Sequence, residues 1–280
     1  MSVFLSFFLG LVQGITEFLP ISSSGHLSIL QNLFAINNPE EEHQFFTVLL
    51  HLGTLVSIIA VYRKEIKEML ADGLEFLRMR SDSDVDEPVV MKPPARALLF
   101  VLVGTIPLFI VLIFNNSINR LFYNVTFIGF ALIVTGGLLF ASDKYITRGN
   151  RTEKTMTLRD AIIIGLSQAA AVIPGLSRSG TTISVGLARG LSGSFSVRFS
   201  LLLSIPAVIG ATIVSLYQAI KAGINIAQLP VYLIGFVISA VVGFFAIQII
   251  RRLVNKGGFG KFAYYCWGVG LLTIILSLIL

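Results

Sequence analysis

Apolar runs of membrane-crossing length alternate along this chain with short polar loops. A crossing takes about 20 mostly apolar residues, and six segments qualify: 44–62, 97–114, 125–141, 199–218, 229–250 and 262–280. Two further regions, 1–36 and 161–191, are apolar but broken near their middles, where Pro20 and Pro174-Gly175 interrupt any continuous helix. Each reads as a re-entrant hairpin of two half-helices, with two full crossings as the alternative for 1–36. Non-helical backbone at membrane depth survives only where protein or a water-filled cavity satisfies its polar groups. The pattern predicts an all-α integral membrane protein with six full transmembrane helices plus two re-entrant helical hairpins.

The two breaks look like copies of each other. At a fixed offset of 155 positions, Gly10/Gly165, Leu11/Leu166, Gln13/Gln168, Ser22/Ser177, Ser24/Ser179 and Gly25/Gly180 are identical. The differing pairs include Glu17/Val172, Ser23/Arg178 and His26/Thr181. A duplicated scaffold thus carries a carboxylate and an imidazole on one copy and a guanidinium on the other, as in one composite site made from two halves. Repeat 1 is expected over 1–141 and repeat 2 over 161–280, with 142–160 as linker. Each repeat would hold one hairpin and three crossings, an odd number, so the second enters with opposite orientation. Such an inverted-topology repeat is a recurring transporter architecture.

Charge supports the layout and orients it. Only 13% of residues are charged and mean hydropathy is +0.85, against about 25% charge in a soluble domain. Alternating the six spans puts 63–96, 142–160, 187–198 and 251–261 on one side, with seven, five, two and four basic residues. The other side holds only Arg120 and Lys221, plus the acidic Glu40-Glu41-Glu42. That 18 to 2 division marks the basic loops as cytoplasmic. The formal charge of +6 therefore reflects topology rather than a nucleic-acid partner. No cleavable signal is evident, since the N-terminus lacks a basic region and its apolar stretch contains Glu17. In the polar insertion 63–92, Ile66, Met69, Leu70, Leu74 and Leu77 recur at helical spacing. This suggests an amphipathic helix on the inner surface, or else a solvated loop. The lone Cys266 forms no internal disulfide.

Of 15 acidic residues only Glu17 lies inside an apolar segment, and of 21 basic residues only Arg178 does. Each costs about 2.5–3.5 kcal/mol at a helix centre, so a site is expected, with a mere locking ion pair as the plainer alternative. Gln13 and Glu17 are four apart and share a helix face. Both offer oxygen to a hard cation such as Mg²⁺ or Ca²⁺, which one carboxylate would hold only jointly with an anionic substrate; Gln13 is equally well a packing residue. The runs Ser22-Ser23-Ser24-Gly25 and Ser177-Arg178-Ser179-Gly180-Thr181-Thr182 each open a half-helix. Free N–H groups, hydroxyls and the positive dipole end suit an anion, and Arg178 adds a fork matched to phosphate. Helix capping by Ser22 and Ser177 is compatible with that role. His26, one turn further on, is either structural or a nucleophile or general acid–base. His51 is the other histidine placed to approach the site.

The string Gln13-Gly14-Ile15-Thr16-Glu17-Phe18-Leu19-Pro20-Ile21-Ser22-Ser23-Ser24-Gly25-His26, with Pro174-Gly175-Leu176-Ser177-Arg178-Ser179-Gly180-Thr181-Thr182, resembles the undecaprenyl-diphosphate phosphatase family linked to bacitracin resistance. The likeness extends over the whole chain in length, hydropathy and placement of the long inner loop. It implies removal of the terminal phosphate of undecaprenyl diphosphate, regenerating the monophosphate carrier for peptidoglycan. It also implies a divalent cation, a homodimer and the plasma membrane. The family's catalytic positions map onto Glu17, the serine run, His26 and Arg178, and its binding threonine onto Thr182. Thr47 stands where relatives often carry an acidic residue.

The expected chemistry is phosphoryl transfer on a polyprenyl diphosphate lipid. Arg178, Ser177, Ser179 and backbone amides clamp the diphosphate, with Gln13, Ser22, Ser24 and Thr182 as further binding positions and Glu17 sharing the cation. Ser23, His26 or a water polarised by Glu17 attacks. The rival is a transporter or flippase of a phosphorylated polyprenyl lipid, since hairpins meeting mid-membrane fit alternating access as well.

Overall fold

A computed structural model describes residues 1–33, 40–81, 90–145, 149–222 and 226–279. The acidic run Asp82 to Glu87 lies outside the described residues. Within them the chain is helical, with no strands. Twelve α-helices follow in order: α1 (Val3–Thr16), α2 (Ser23–Leu33), α3 (Glu40–Ser81), α4 (Pro93–Thr105), α5 (Leu108–Ile113), α6 (Asn115–Leu121), α7 (Val125–Tyr145), α8 (Leu158–Ala170), α9 (Arg178–Ala188), α10 (Gly193–Ala222), α11 (Leu229–Lys256) and α12 (Phe262–Ile279).

Among the described residues, six stretches are long and apolar enough to cross a bilayer: Phe45–Arg80, Pro93–Val111, Val125–Lys144, Gly193–Tyr217, Leu229–Lys256 and Phe259–Ile279. These are the six expected spans, so this is a multi-pass membrane protein. One departure has a physical cause. The span expected at 97–114 ends its regular helix at Thr105, because Pro107 cannot donate to the preceding turn; α5 restarts beyond it. The polar insertion after residue 62 is helical as far as Ser81, as its leucine spacing suggested, and a kink at Tyr62 (φ −104°, ψ 17°) separates it from the apolar part of α3.

The two broken regions appear as two pairs of short helices, α1/α2 and α8/α9. At 1.5 Å per residue, the 14 and 13 residues of α1 and α8 reach only about 20 Å. Three local causes set their ends. Ser2 caps α1 by accepting from Leu5 N–H. Thr157 and Asp160 form a reciprocal capping box on α8. Ser177 caps α9 by accepting from Gly180 N–H at 3.1 Å.

Packing brings the two breaks together at the centre. α1 lies against α11, where a side chain on Gly10 would meet the Gly235 carbonyl oxygen at 2.6 Å; α8 lies against α4, where one on Gly165 would meet the Gly104 oxygen at 2.2 Å. Only glycine permits such close backbones. α7 and α12 pack along each other beside both breaks. Phe18 and Ile21 of the first break share one buried core with Tyr62, Leu139, Ile183 and Phe199, so protein encloses the irregular backbone.

Candidate active site

Glu17 closes α1 and Arg178 opens α9, and the packing places their side chains in contact. Arg178 Nη2 donates to Glu17 Oε1. The other carboxylate oxygen accepts from Ser23 Oγ at 2.6 Å and from Gln13 Nε2 at 3.0 Å. The Glu17 side chain is 3% exposed but that of Arg178 is 24% exposed, so the guanidinium is the part of the pair an incoming ligand meets. A buried charge needs a partner and satisfied oxygens. Both conditions hold here, and one partner comes from each half of the chain.

The serines hold the two breaks to each other. Ser22 takes a positive φ of 68°, uncommon for a residue with a Cβ. Its hydroxyl accepts from Gly25 N–H at 3.2 Å and donates to the Leu176 carbonyl of the second break at 3.3 Å. Ser24 Oγ lies 3.3 Å from Ser22 Oγ. In the other direction, Ser179 Oγ donates to the Leu19 carbonyl at 3.4 Å, and Ser177 Oγ is 3.4 Å from Ser179 Oγ. The first turn of a helix leaves N–H groups without helical partners, so α9 presents its dipole end beside Arg178. Thr182 is turned away from this group. Its hydroxyl donates to the Arg178 carbonyl at 2.8 Å and meets Ser200 Oγ on α10.

His26 is placed apart from the carboxylate. Its Nδ1 donates to the Ser22 carbonyl at 2.8 Å, which leaves Nε2 of a neutral ring to accept from Tyr265 O–H at 2.8 Å. The two rings stack at 5.6 Å. They border an apolar cavity of about 610 Å³ lined also by Val12, Ile15, Leu19 and Phe262. The histidine that does reach Glu17 is His51, with Nε2 at 3.5 Å from Oε2 and Nδ1 donating to the Thr47 carbonyl at 2.8 Å. Its position inside an otherwise apolar span was the signal for it. Thr135 carried no such signal, yet it donates to the Gly175 carbonyl and accepts from Ser177 N–H, holding the second break in shape. Thr47 itself accepts from Gln31 Nε2 at 3.1 Å.

For a cation, the described residues hold no cluster of three or more His, Cys, Asp or Glu of metal-binding geometry. Gln13 Oε1 is nevertheless buried without a partner, one turn before the Glu17 carboxylate. Two adjacent oxygen donors suit a hard cation whose remaining positions are filled by substrate phosphate and water. The duplicate position differs: both amide atoms of Gln168 are buried and unpartnered, because Val172 stands where Glu17 would be.

Glu17 and Arg178 thus form a buried carboxylate–guanidinium pair between two helix breaks of a multi-pass helical membrane protein, with the start of α9 beside it. The profile of the bacitracin resistance protein BacA matches residues 6–272. The chain belongs to that family. It is 39% identical to the undecaprenyl-diphosphatase of Alkaliphilus metalliredigens, with the whole of both chains covered. Those of Halothermothrix orenii and Carboxydothermus hydrogenoformans are 37% and 36% identical, each covering 99% of this chain and 99% and 98% of their own.

Proposed function

We propose that this protein hydrolyses the terminal phosphate of undecaprenyl diphosphate, giving undecaprenyl phosphate and inorganic phosphate, in the plasma membrane. The relatives' names favour hydrolysis over the transport alternative. The observation that carries the reading is the joint grip of Glu17 on Ser23 and Arg178 at the meeting of the two breaks. Arg178 binds the diphosphate bidentately, assisted by the first-turn N–H groups of α9 and the hydroxyls of Ser177 and Ser179. Ser22, Ser24 and Thr182 keep the two breaks and α9 in register for that grip. Glu17 takes the Ser23 hydroxyl proton as Ser23 Oγ attacks the terminal phosphorus. The bond from phosphorus to the bridging oxygen breaks, and its electrons leave with the lipid monophosphate. Water then cleaves the phosphoserine to release phosphate. Positioning and charge stabilisation supply most of the acceleration. When bound, a divalent cation held by Gln13, Glu17 and the substrate neutralises phosphate charge. His26 with Tyr265 marks the entrance from the apolar cavity, which suits the first isoprene units of the tail.

The architecture behind this reading is an inverted repeat, 1–141 and 161–280, with α1/α2 and α8/α9 as re-entrant hairpins. Its support is the matched pairing of α1 with α11 and α8 with α4, each across a glycine pair. The basic loops are cytoplasmic in this reading. A homodimer completes it, and cross-linking in native membranes tests that state. For the chemistry, rapid quenching of purified protein with lipid diphosphate labelled on its terminal phosphate is expected to trap label on Ser23, and to trap none in Ser23→Ala. Chelator is expected to slow phosphate release. Release at full rate with no label on the protein would replace Ser23 by water as nucleophile.

A further inference from the structure

The inner half of α3, beyond the Tyr62 kink, has a face that no other described element covers. Leu70, Leu74 and Leu77 are 50%, 64% and 63% exposed. Successive helix residues are about 100° apart, so these leucines share one face with Arg63, Lys67 and Arg78, all exposed. Within the described residues none of those three cations pairs with a carboxylate. The four acidic residues of the same stretch, Glu65, Glu68, Asp72 and Glu75, fall on the opposite side. Two of them are drawn back onto the protein by Lys92, at 3.6 Å from Asp72 and 2.6 Å from Glu75. Net charge over the stretch is small, but it is sorted: one face is leucine with cations only.

The depth of that face is set by its packing. A side chain on Gly73 would meet Leu98 Cδ2 at 2.7 Å, and Leu98 lies in the first turns of the span Pro93–Val111. Leu70 and Leu74 therefore stand level with the start of a membrane crossing, where headgroups give way to acyl chains. We propose that this face of α3 is a binding surface for anionic phospholipid, the leucines entering the acyl boundary while Arg63, Lys67 and Arg78 meet the phosphates. Buried apolar area and attraction to anionic headgroups are the two contributions such a surface combines.

The test uses the full chain carrying a nitroxide on Leu74→Cys, with Leu70→Cys as a second site; Cys266 is buried and stays unlabelled. Protein is reconstituted in phosphatidylcholine vesicles with or without one third phosphatidylglycerol, and collisions with oxygen and with a water-soluble nickel chelate are compared. Oxygen collisions are expected to dominate with phosphatidylglycerol present. Adding Lys67→Glu and Arg78→Glu should lower the lipid-contacting fraction about tenfold or more, since each cation near an anionic surface is worth about fivefold. A label in water under both compositions overturns the proposal. So does lipid contact indifferent to phosphatidylglycerol and to charge reversal. Shielding from both reagents with spin–spin broadening overturns it in favour of a second copy of the chain.

Discussion

Ser22 concentrates the cost of the site in one residue. A left-handed backbone costs a non-glycine residue about 1–2 kcal/mol, and Ser22 has φ 68° where its counterpart Ser177 sits at an ordinary −78°. The turn that Ser22 makes lets the adjacent Ser23 hydroxyl point back at Glu17. Ser22→Ala should lose the bonds to Gly25 and Leu176 and keep the strain, whereas Ser22→Gly loses the same bonds and relieves it. Thermal unfolding in detergent is expected to place Ser22→Gly above Ser22→Ala by about 1 kcal/mol; the reverse order would remove the strain from the argument. Glu17 and Arg178 were legible as sequence because they are the only charges inside apolar segments. That Ser23, and not His26, hydrogen-bonds the carboxylate was not legible, since it depends on one backbone angle. The approach of His51 to Glu17 was legible from its place inside an otherwise apolar span.

Asp160 ties the linker to the two short helices of the second half. It is fully buried, accepting from Arg151 Nη2 at 2.6 Å, Arg189 Nε at 2.8 Å and Thr157 N–H at 2.9 Å. Burial opposes its charge, but the two arginines and the capping box outweigh that and hold its pKa down to about 2. The folded value lies below the unfolded one, so this carboxylate's stabilisation is complete above about pH 4 and is lost as pH falls toward 2. Its size is of the order of 2 kcal/mol. Asp160→Asn should lower the unfolding temperature at neutral pH and flatten its decline between pH 4 and 2; an unchanged acid profile would contradict this. The six spans were readable as elements because each is an apolar run of crossing length. The helix beyond residue 62 was readable from its leucine spacing, but the kink at Tyr62 that joins it to the preceding span was not, because nothing in an apolar run fixes one residue's backbone angles. The linker was read as running to residue 160, so the capping box at Thr157 and Asp160 emerges only in the structure, as do the two distant arginines that complete the cluster.

The whole molecule brings Glu17 and Arg178 into contact from its two halves, and the proposed cytoplasmic placement of the basic loops rests on the 18 to 2 division of basic residues. A cysteine at Lys221 is therefore expected to react in intact cells with a membrane-impermeant maleimide, and one at Lys154 only after permeabilisation. Reaction of both from outside would overturn the cytoplasmic assignment. The proposed repeat has its sequence signal only around the two breaks, as identical residues at one offset. Elsewhere, spans need only be apolar and retain little sequence likeness, so the matched glycine contacts Gly10–Gly235 and Gly165–Gly104 emerge only in three dimensions. Phosphate release from undecaprenyl diphosphate by purified Arg178→Lys and Arg178→Ala protein tests the grip across the two halves most directly. Lysine keeps the charge opposite Glu17, so it preserves folding while removing the bidentate fork. Turnover is expected to fall by about 10²–10³-fold in the lysine variant and further in the alanine variant. Turnover within a few-fold of wild type in either folded variant would contradict the assignment of Arg178 to the diphosphate.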